Sequence, residues 1–124
     1  MALGSTIYKA TIDISDIDRG YYGTHLCTLA LHPSETLERL AVRLLTYCLF
    51  VGEADRRLEF GRGLSTEGEP ALWEIDDTGN IARWVDVGVP DVKLVRKAAG
   101  RSDEVLVVAY GEDRIDPWLS LIHI

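Results

Sequence analysis

Glu69 to Lys97 reads EPALWEIDDTGNIARWVDVGVPDVKLVRK, and this stretch decides how the chain folds. Two runs rich in apolar and aromatic residues flank the turn-forming cluster Asp77-Thr78-Gly79-Asn80, the pattern of a β-hairpin. With Thr78-Gly79 as a two-residue loop, Asp77 pairs with Asn80, Trp73 faces Trp84, Ala71 faces Asp86 and Glu69 faces Gly88. Side chains two apart on a strand share a face, so Glu69 and Asp86 become diagonal neighbours. A helix follows from Pro90 to about Ala99, with Pro90 near its start, Asp91 in its first turn and Gly100 at its end. It carries Lys93, Arg96, Lys97 and Arg101, a basic patch directly after an acidic hairpin; a solvated helix face explains four such charges equally well.

Working towards the N-terminus, Arg57 to Phe60 reads as a short strand and GRGLSTEGE as the loop after it. The segment HPSETLERLAVRLLTYCLFV is the clearest helix, with Leu37, Leu40, Ala41, Leu44, Leu45 and Cys48 at helical spacing as its expected core face. Ser34 is expected to cap it, Glu35 and Glu38 suit its N-terminal end, and Gly52 ends it. Thr6 to Ile14 and His25 to Leu31 read as an antiparallel pair with a long connection. Towards the C-terminus, Val105 to Ala109 is a continuous apolar run, expected as a buried strand. The resulting order is a hairpin, then α-β-β-β-α-β: one α/β (α+β) domain. It is expected to span residues 1–113 and to be truncated at its C-terminus. The tail from 114 to 124 closes on LSLIHI, which resembles translated read-through of a sequencing adaptor, so no function is built on it.

A length of 124 residues suits one domain with a real core. No apolar run reaches membrane-spanning length, the start lacks a signal-peptide pattern, and cytoplasm is the expected compartment. Cys27 and Cys48 have no metal-site spacing and are expected as buried thiols. A net charge of −7 argues against gripping nucleic acid over the whole surface, though not against holding it locally through a metal ion.

The chemistry rests on the acids. Glu69 and Asp86 can supply hard oxygen ligands to Mg²⁺ or Mn²⁺. Such an ion orients a water and neutralises charge on a scissile phosphate, and a cation such as Lys97 beside that water would assist. Gly88 leaves room for a lysine to reach in. The plainer reading makes these residues a surface ion-pair network. Asp76 is the competing acid, but opposite Ile81 and near the turn it lies too far from Asp86 to share an ion. Trp73 and Trp84 read as a core aromatic pair more than a base-stacking platform. Arg62, His25 and His32 have weaker, structural readings, and Ser34 and Ser65 lack the His-Asp arrangement that serine hydrolysis needs.

HPSETLERLAVRLL, RLEFGRGLS, GEPALW, RWVDVGVPD and VRKA, with the opening TIYKATIDISDIDRGYY, closely resemble the YaeQ family of small bacterial proteins. The resemblance implies a variation of the PD-(D/E)XK nuclease fold, with core order α-β-β-β-α-β. It assigns Glu38 to the acid on the first core helix, Glu69 to the second-strand acid and Asp86 to the acid of the (D/E)XK element. Gly88 stands where the nuclease pattern has lysine; Lys97, on the next helix, is placed to take over. The expected function is Mg²⁺-dependent hydrolysis of nucleic acid phosphodiesters. The alternative is a catalytically inactive nuclease fold acting as a binding or scaffold module.

Overall fold

The computed structural model describes residues 4, 6–52, 56–61 and 69–121. Its organising hairpin pairs β4 (Leu72–Asp76) with β5 (Ile81–Val87), and Trp73 lies opposite Trp84 as expected. The turn differs. Register shifts between Glu74 and Ile75, so that Ile75 pairs with Ile81 and Ala82 is an extra residue on β5. Asp76, not Asp77, closes the turn: its N–H donates to the Asn80 carbonyl at 3.0 Å. The loop therefore holds three residues, with Gly79 at φ 87°. The cause is the Asp76 carboxylate, which accepts from Thr78 Oγ1, Thr78 N and Asn80 N at 2.6, 2.9 and 3.0 Å. These bonds, led by the Thr78 hydroxyl, hold its carboxyl below the usual range.

β3 (Arg56–Phe60) pairs antiparallel with β4, and β6 (Glu104–Val108) runs parallel to β5, giving the order β3-β4-β5-β6. A parallel neighbour needs a crossover, which α2 (Val92–Arg101) supplies. Asp91 caps α2 by accepting from Lys93 N, and the helix runs through Gly100 to a cap at Ser102. At the sheet's edge, β6 is half-buried along most of its length, less deep than its apolar run implied. Arg83 and Trp84, adjacent on β5, point to opposite faces. The Arg83 guanidinium lies over Phe50 of α1 (Leu37–Phe50), and Arg101 of α2 lies over Trp84. The two helices thus cover opposite faces of one sheet. Its core is Ala71, Leu72, Val85 and Val87, against which Val42 and Tyr47 of α1 pack.

β1 (Thr6–Asp16) and β2 (Tyr21–Leu31) form a separate antiparallel pair, joined by a tight four-residue turn instead of a long connection. Cys27 and Leu29 are buried on its inner face. Arg43 Nη2 donates to the Ala30 carbonyl at 2.9 Å and Arg19 Nη1 to the Val51 carbonyl at 2.8 Å, so the pair is latched to the middle of α1 and to its C-terminal cap. Tyr47 Oη lies 3.3 Å from His25 Nδ1, and Tyr21 Oη 2.6 Å from His25 Nε2, a structural role for that histidine. Both cysteines are free thiols, and burial pushes both up in pKa.

α1 departs most from its sequence pattern. Thr36, not Ser34, is its cap, accepting from Arg39 N. Ser34 instead meets His32 Nδ1 at 2.6 Å in the turn leading in. The expected core face looks outward: Leu37 and Leu45 are each 62% exposed, Ala41 is exposed, and Leu40, Leu44 and Cys48 are half-buried. Arg43 and Thr46 are buried in their stead. The helix is turned by its charges, because Arg43 bonds both Glu35 and the hairpin backbone. The last helix, α3 (Glu112–Leu121), takes in most of the tail on which no function was built; its Trp118 indole N–H donates to the Pro90 carbonyl at 2.6 Å.

Just beyond α1, Gly52 adopts φ 94°, and a Cβ there would run into the Tyr21 ring. Gly52→Ala combines left-handed strain with displacement of that ring. It is expected to lower stability by about 1 kcal/mol or more, measured by urea denaturation; an unchanged midpoint would show that the Tyr21 contact does not hold the hairpin to the helix.

Candidate functional site

Asp86 sits between Val85 and Val87, both buried, near the end of the central strand β5. Its carboxylate is oriented from two sides. Oδ1 accepts from Ala71 N at 3.2 Å, and Oδ2 accepts from Trp84 Nε1 at 3.4 Å. The first bond puts Ala71 beside Asp86, as the expected register required. A third neighbour comes from α1: Arg39 Nη2 lies 4.0 Å from Asp86 Oδ1. Burial dominates the balance and pushes the Asp86 carboxyl above its ordinary value, against the Trp84 and Ala71 hydrogen bonds and the Arg39 charge.

Arg39 belongs to a chain of charges. It meets Glu35 Oε2 at 2.6 Å, and Arg43 Nη2 meets Glu35 Oε1 at 3.0 Å. Arg43 Nε also lies 3.0 Å from Glu35 Oε2, but without the alignment of a hydrogen bond. Arg39 and Arg43, four residues apart, lie on one side of the helix, and Glu35, just before its cap, reaches both. Glu35 and Arg43 are buried, and burial lowers the Arg43 pKa, with Glu35 opposing. Taking Glu35 and Arg43 out of water is costly, and their pairing offsets that cost in part, since Arg43 Nε is left without an aligned acceptor.

The four expected site residues do not share one environment. Asp86 and Glu69 are half-buried, whereas Glu38 and Lys97 are exposed on their helices. The acid linked to Asp86 through Arg39 is Glu35, which precedes the cap of α1. The backbone leading from Glu69 is closely held: Gly61 N donates to the Ala71 carbonyl at 3.0 Å, and a Cβ at Gly61 would run into the Pro70 carbonyl. At Gly88 (φ 87°), the side chain nearest a built Cβ is Tyr110, whose ring lies 3.4 Å away. Tyr110 therefore borders that gap, while Lys97 is exposed on its helix. Asp76 is committed to its turn, away from Asp86. Trp73 and Trp84 meet edge to face with centroids 6.1 Å apart, and Trp84 is buried. Arg62 and Ser65 lie outside the described residues. Arg39, Arg43, Trp84's hydrogen bond and Tyr110 were missed as parts of the site; the spacing of Glu35, Arg39 and Arg43 was the available signal.

The donor chemistry suits a hard cation in part. Each Asp86 oxygen accepts one N–H and retains further acceptor capacity. Among the described residues no three His, Cys, Asp or Glu side chains gather, so a sphere made by protein alone is not built there. Mg²⁺ commonly keeps several waters and binds through one or two carboxylates, of which Asp86 could supply one.

The family model described as "YaeQ protein" matches residues 1–123. Two relatives, from Salmonella typhi and Escherichia coli K12, are each described as "Uncharacterized protein YaeQ". They are 42% and 41% identical to the chain over 118 residues, covering 95% of it and 64% of their own length. The chain thus spans just under two thirds of these relatives. The crystal structure of YaeQ protein from Xanthomonas axonopodis pv. citri superimposes with a TM-score of 0.82 at 51% identity, covering 94% of this chain and 64% of that one. That of YaeQ protein from Pseudomonas syringae gives 0.81 at 39% identity, covering 95% and 67%. The mixed α+β architecture is shared with both.

The Asp86 environment has a pH signature. A carboxyl raised on folding binds its proton more tightly in the folded state, so its contribution to stability is present at low pH and lost as pH rises through the folded value. Wild-type stability relative to Asp86→Asn should therefore fall as pH climbs from the ordinary 3.8 upward, then level off. Urea titrations across that range measure it; a relative stability that rises instead would mean that Arg39 outweighs burial.

Proposed function

The chain belongs to the YaeQ family, and on that premise we propose a metal-dependent phosphodiester-hydrolysing domain of PD-(D/E)XK type, acting on nucleic acid. The observation that carries the reading is Asp86: a carboxylate near the end of the central strand, shielded from water, oriented by two N–H donors and faced by an arginine. A shielded ionisable group with fitted partners is a functional-site candidate on physical grounds. The element order around it, α1-β3-β4-β5-α2-β6, is compatible with that nuclease core.

In this reading Asp86 and Glu69 hold Mg²⁺ or Mn²⁺, with Ala71 N and Trp84 Nε1 keeping the Asp86 oxygens in position. The ion, when bound, would polarise a phosphoryl oxygen and lower the pKa of a bound water. Glu38 positions a ligand water from the first turn of α1. Lys97 assists the attacking water from α2; exposed in the unliganded chain, its ammonium would be fixed by the substrate's phosphates. Arg39 limits repulsion as negative charge collects. Because binding is confined to this site, the overall charge of −7 is no obstacle. A second reading, a nuclease fold retained as a binding or scaffold module, is favoured by Gly88 in the usual lysine position and by the exposure of Lys97.

Titration calorimetry with Mg²⁺ and Mn²⁺ on wild type, Asp86→Ala and Glu69→Gln separates the readings. Binding by wild type that is lost in Asp86→Ala and weakened roughly tenfold or more in Glu69→Gln is expected. Cleavage of labelled single- and double-stranded DNA and RNA would then be abolished by Asp86→Ala and sharply reduced by Lys97→Ala. Wild-type protein that takes up neither ion leaves the scaffold reading.

A further inference from the structure

α1 offers water a continuous apolar stripe. Leu37, Ala41, Leu45 and Leu49 recur every four residues and so lie along one side of the helix. The three leucines are each 62% exposed. Leu40, Leu44 and Cys48 flank them, half-buried. The opposite side, with Arg39, Arg43, Thr46 and Phe50, is packed between sheet and hairpin. An amphipathic helix ordinarily does the reverse, because polar groups lose hydration on burial and apolar ones gain by it. Isolated surface leucines need no explanation, but an ordered row on one helix marks a face that has a partner.

The size of that partner follows from the comparisons. The superposed Xanthomonas axonopodis chain and the two curated relatives each extend beyond the matched region by about a third of their length. Leu37 to Leu49 spans about 18 Å along the axis at roughly 1.5 Å per residue. One amphipathic helix of three to four turns would cover such a row by ridges-into-grooves packing, well within that extra length. We propose that the Leu37-Ala41-Leu45-Leu49 face is the docking surface for an apolar-faced helical segment from the part of a YaeQ chain outside the matched region. Burial there would clamp α1 from its outer side and hold Glu35, Arg39 and Arg43 against the sheet. The inference stands on exposure, spacing and relative length, independently of any metal chemistry.

The unmatched part of the Xanthomonas axonopodis YaeQ chain, produced separately, is the probe. Calorimetric titration into wild-type chain should show one-to-one binding, weakened roughly tenfold or more by combined Leu45→Glu and Leu49→Glu, since each buried leucine contributes on that scale. Circular dichroism confirms that the variant is folded. Equal binding by both proteins, or none by either, overturns the proposal. So does a wild-type dimer in sedimentation velocity that the variant dissociates, which would make a second copy the occupant. If the probe alone is insoluble, it is joined to the chain by a flexible linker. The two substitutions should then lower the melting temperature of the fused protein markedly and that of the chain alone little or not at all; equal effects would overturn the proposal.

Discussion

The register between β4 and β5 is the constraint on which the other features rest. Trp73 opposite Trp84 puts a large edge-to-face pair on one side of the sheet, and Leu72 opposite Val85 builds the core on the other. A slip by one residue would exchange those faces and place charge in the core. The same register sets Ala71 beside Asp86, so that a backbone N–H reaches the carboxylate. The bulge at Ala82 absorbs the mismatch between this pairing and the three-residue turn that Asp76 caps. Turn chemistry and core packing therefore make different demands, and one extra residue on β5 satisfies both.

A second level of organisation is ionic. Glu74, only 1% exposed, meets Arg83 at 3.0 Å, and Arg83 extends to Glu104 on β6. Glu35, just before α1, and Arg39 and Arg43 on it form the corresponding cluster. Buried ion pairs give little net stability compared with well-packed apolar residues, but losing one partner is expensive. Their effect here is geometric. They select which side of α1 faces inward, overriding the leucine periodicity, and they bring an arginine to Asp86.

Much of the architecture was legible in the chain, because strand alternation, turn residues and helix caps are local signals. The order of elements followed from them, as did the Trp73–Trp84 pairing. The orientation of α1 did not, since periodicity identifies an apolar side without saying what covers it; Glu35, Arg39 and Arg43 had to find partners from three different elements first. At the site, Asp86 and its proximity to Ala71 could be read from hairpin geometry alone. The Arg39 contact depends on tertiary packing, and so does Tyr110 at Gly88. Exposure of Glu38 and Lys97 was likewise invisible in residue spacing, which fixes a helix side only relative to its neighbours.

The pairing of β5 with β6 has a consequence for assembly. The β1–β2 and β3–β4–β5 ladders connect strands that are close in sequence, whereas β6 can join only after α2 has crossed the sheet. Loop closure makes such a pairing late and slow relative to hairpin formation. The edge held by Val87–Val108 pairing and by Gly88 N donating to the Val108 carbonyl is thus the natural place for subglobal opening. Detachment there would loosen the backbone just beyond Asp86 while the antiparallel ladders stayed closed. Amide protons along β6 would then exchange with solvent sooner than those of β4, and the neighbourhood of the carboxylate would fluctuate as its own cooperative unit.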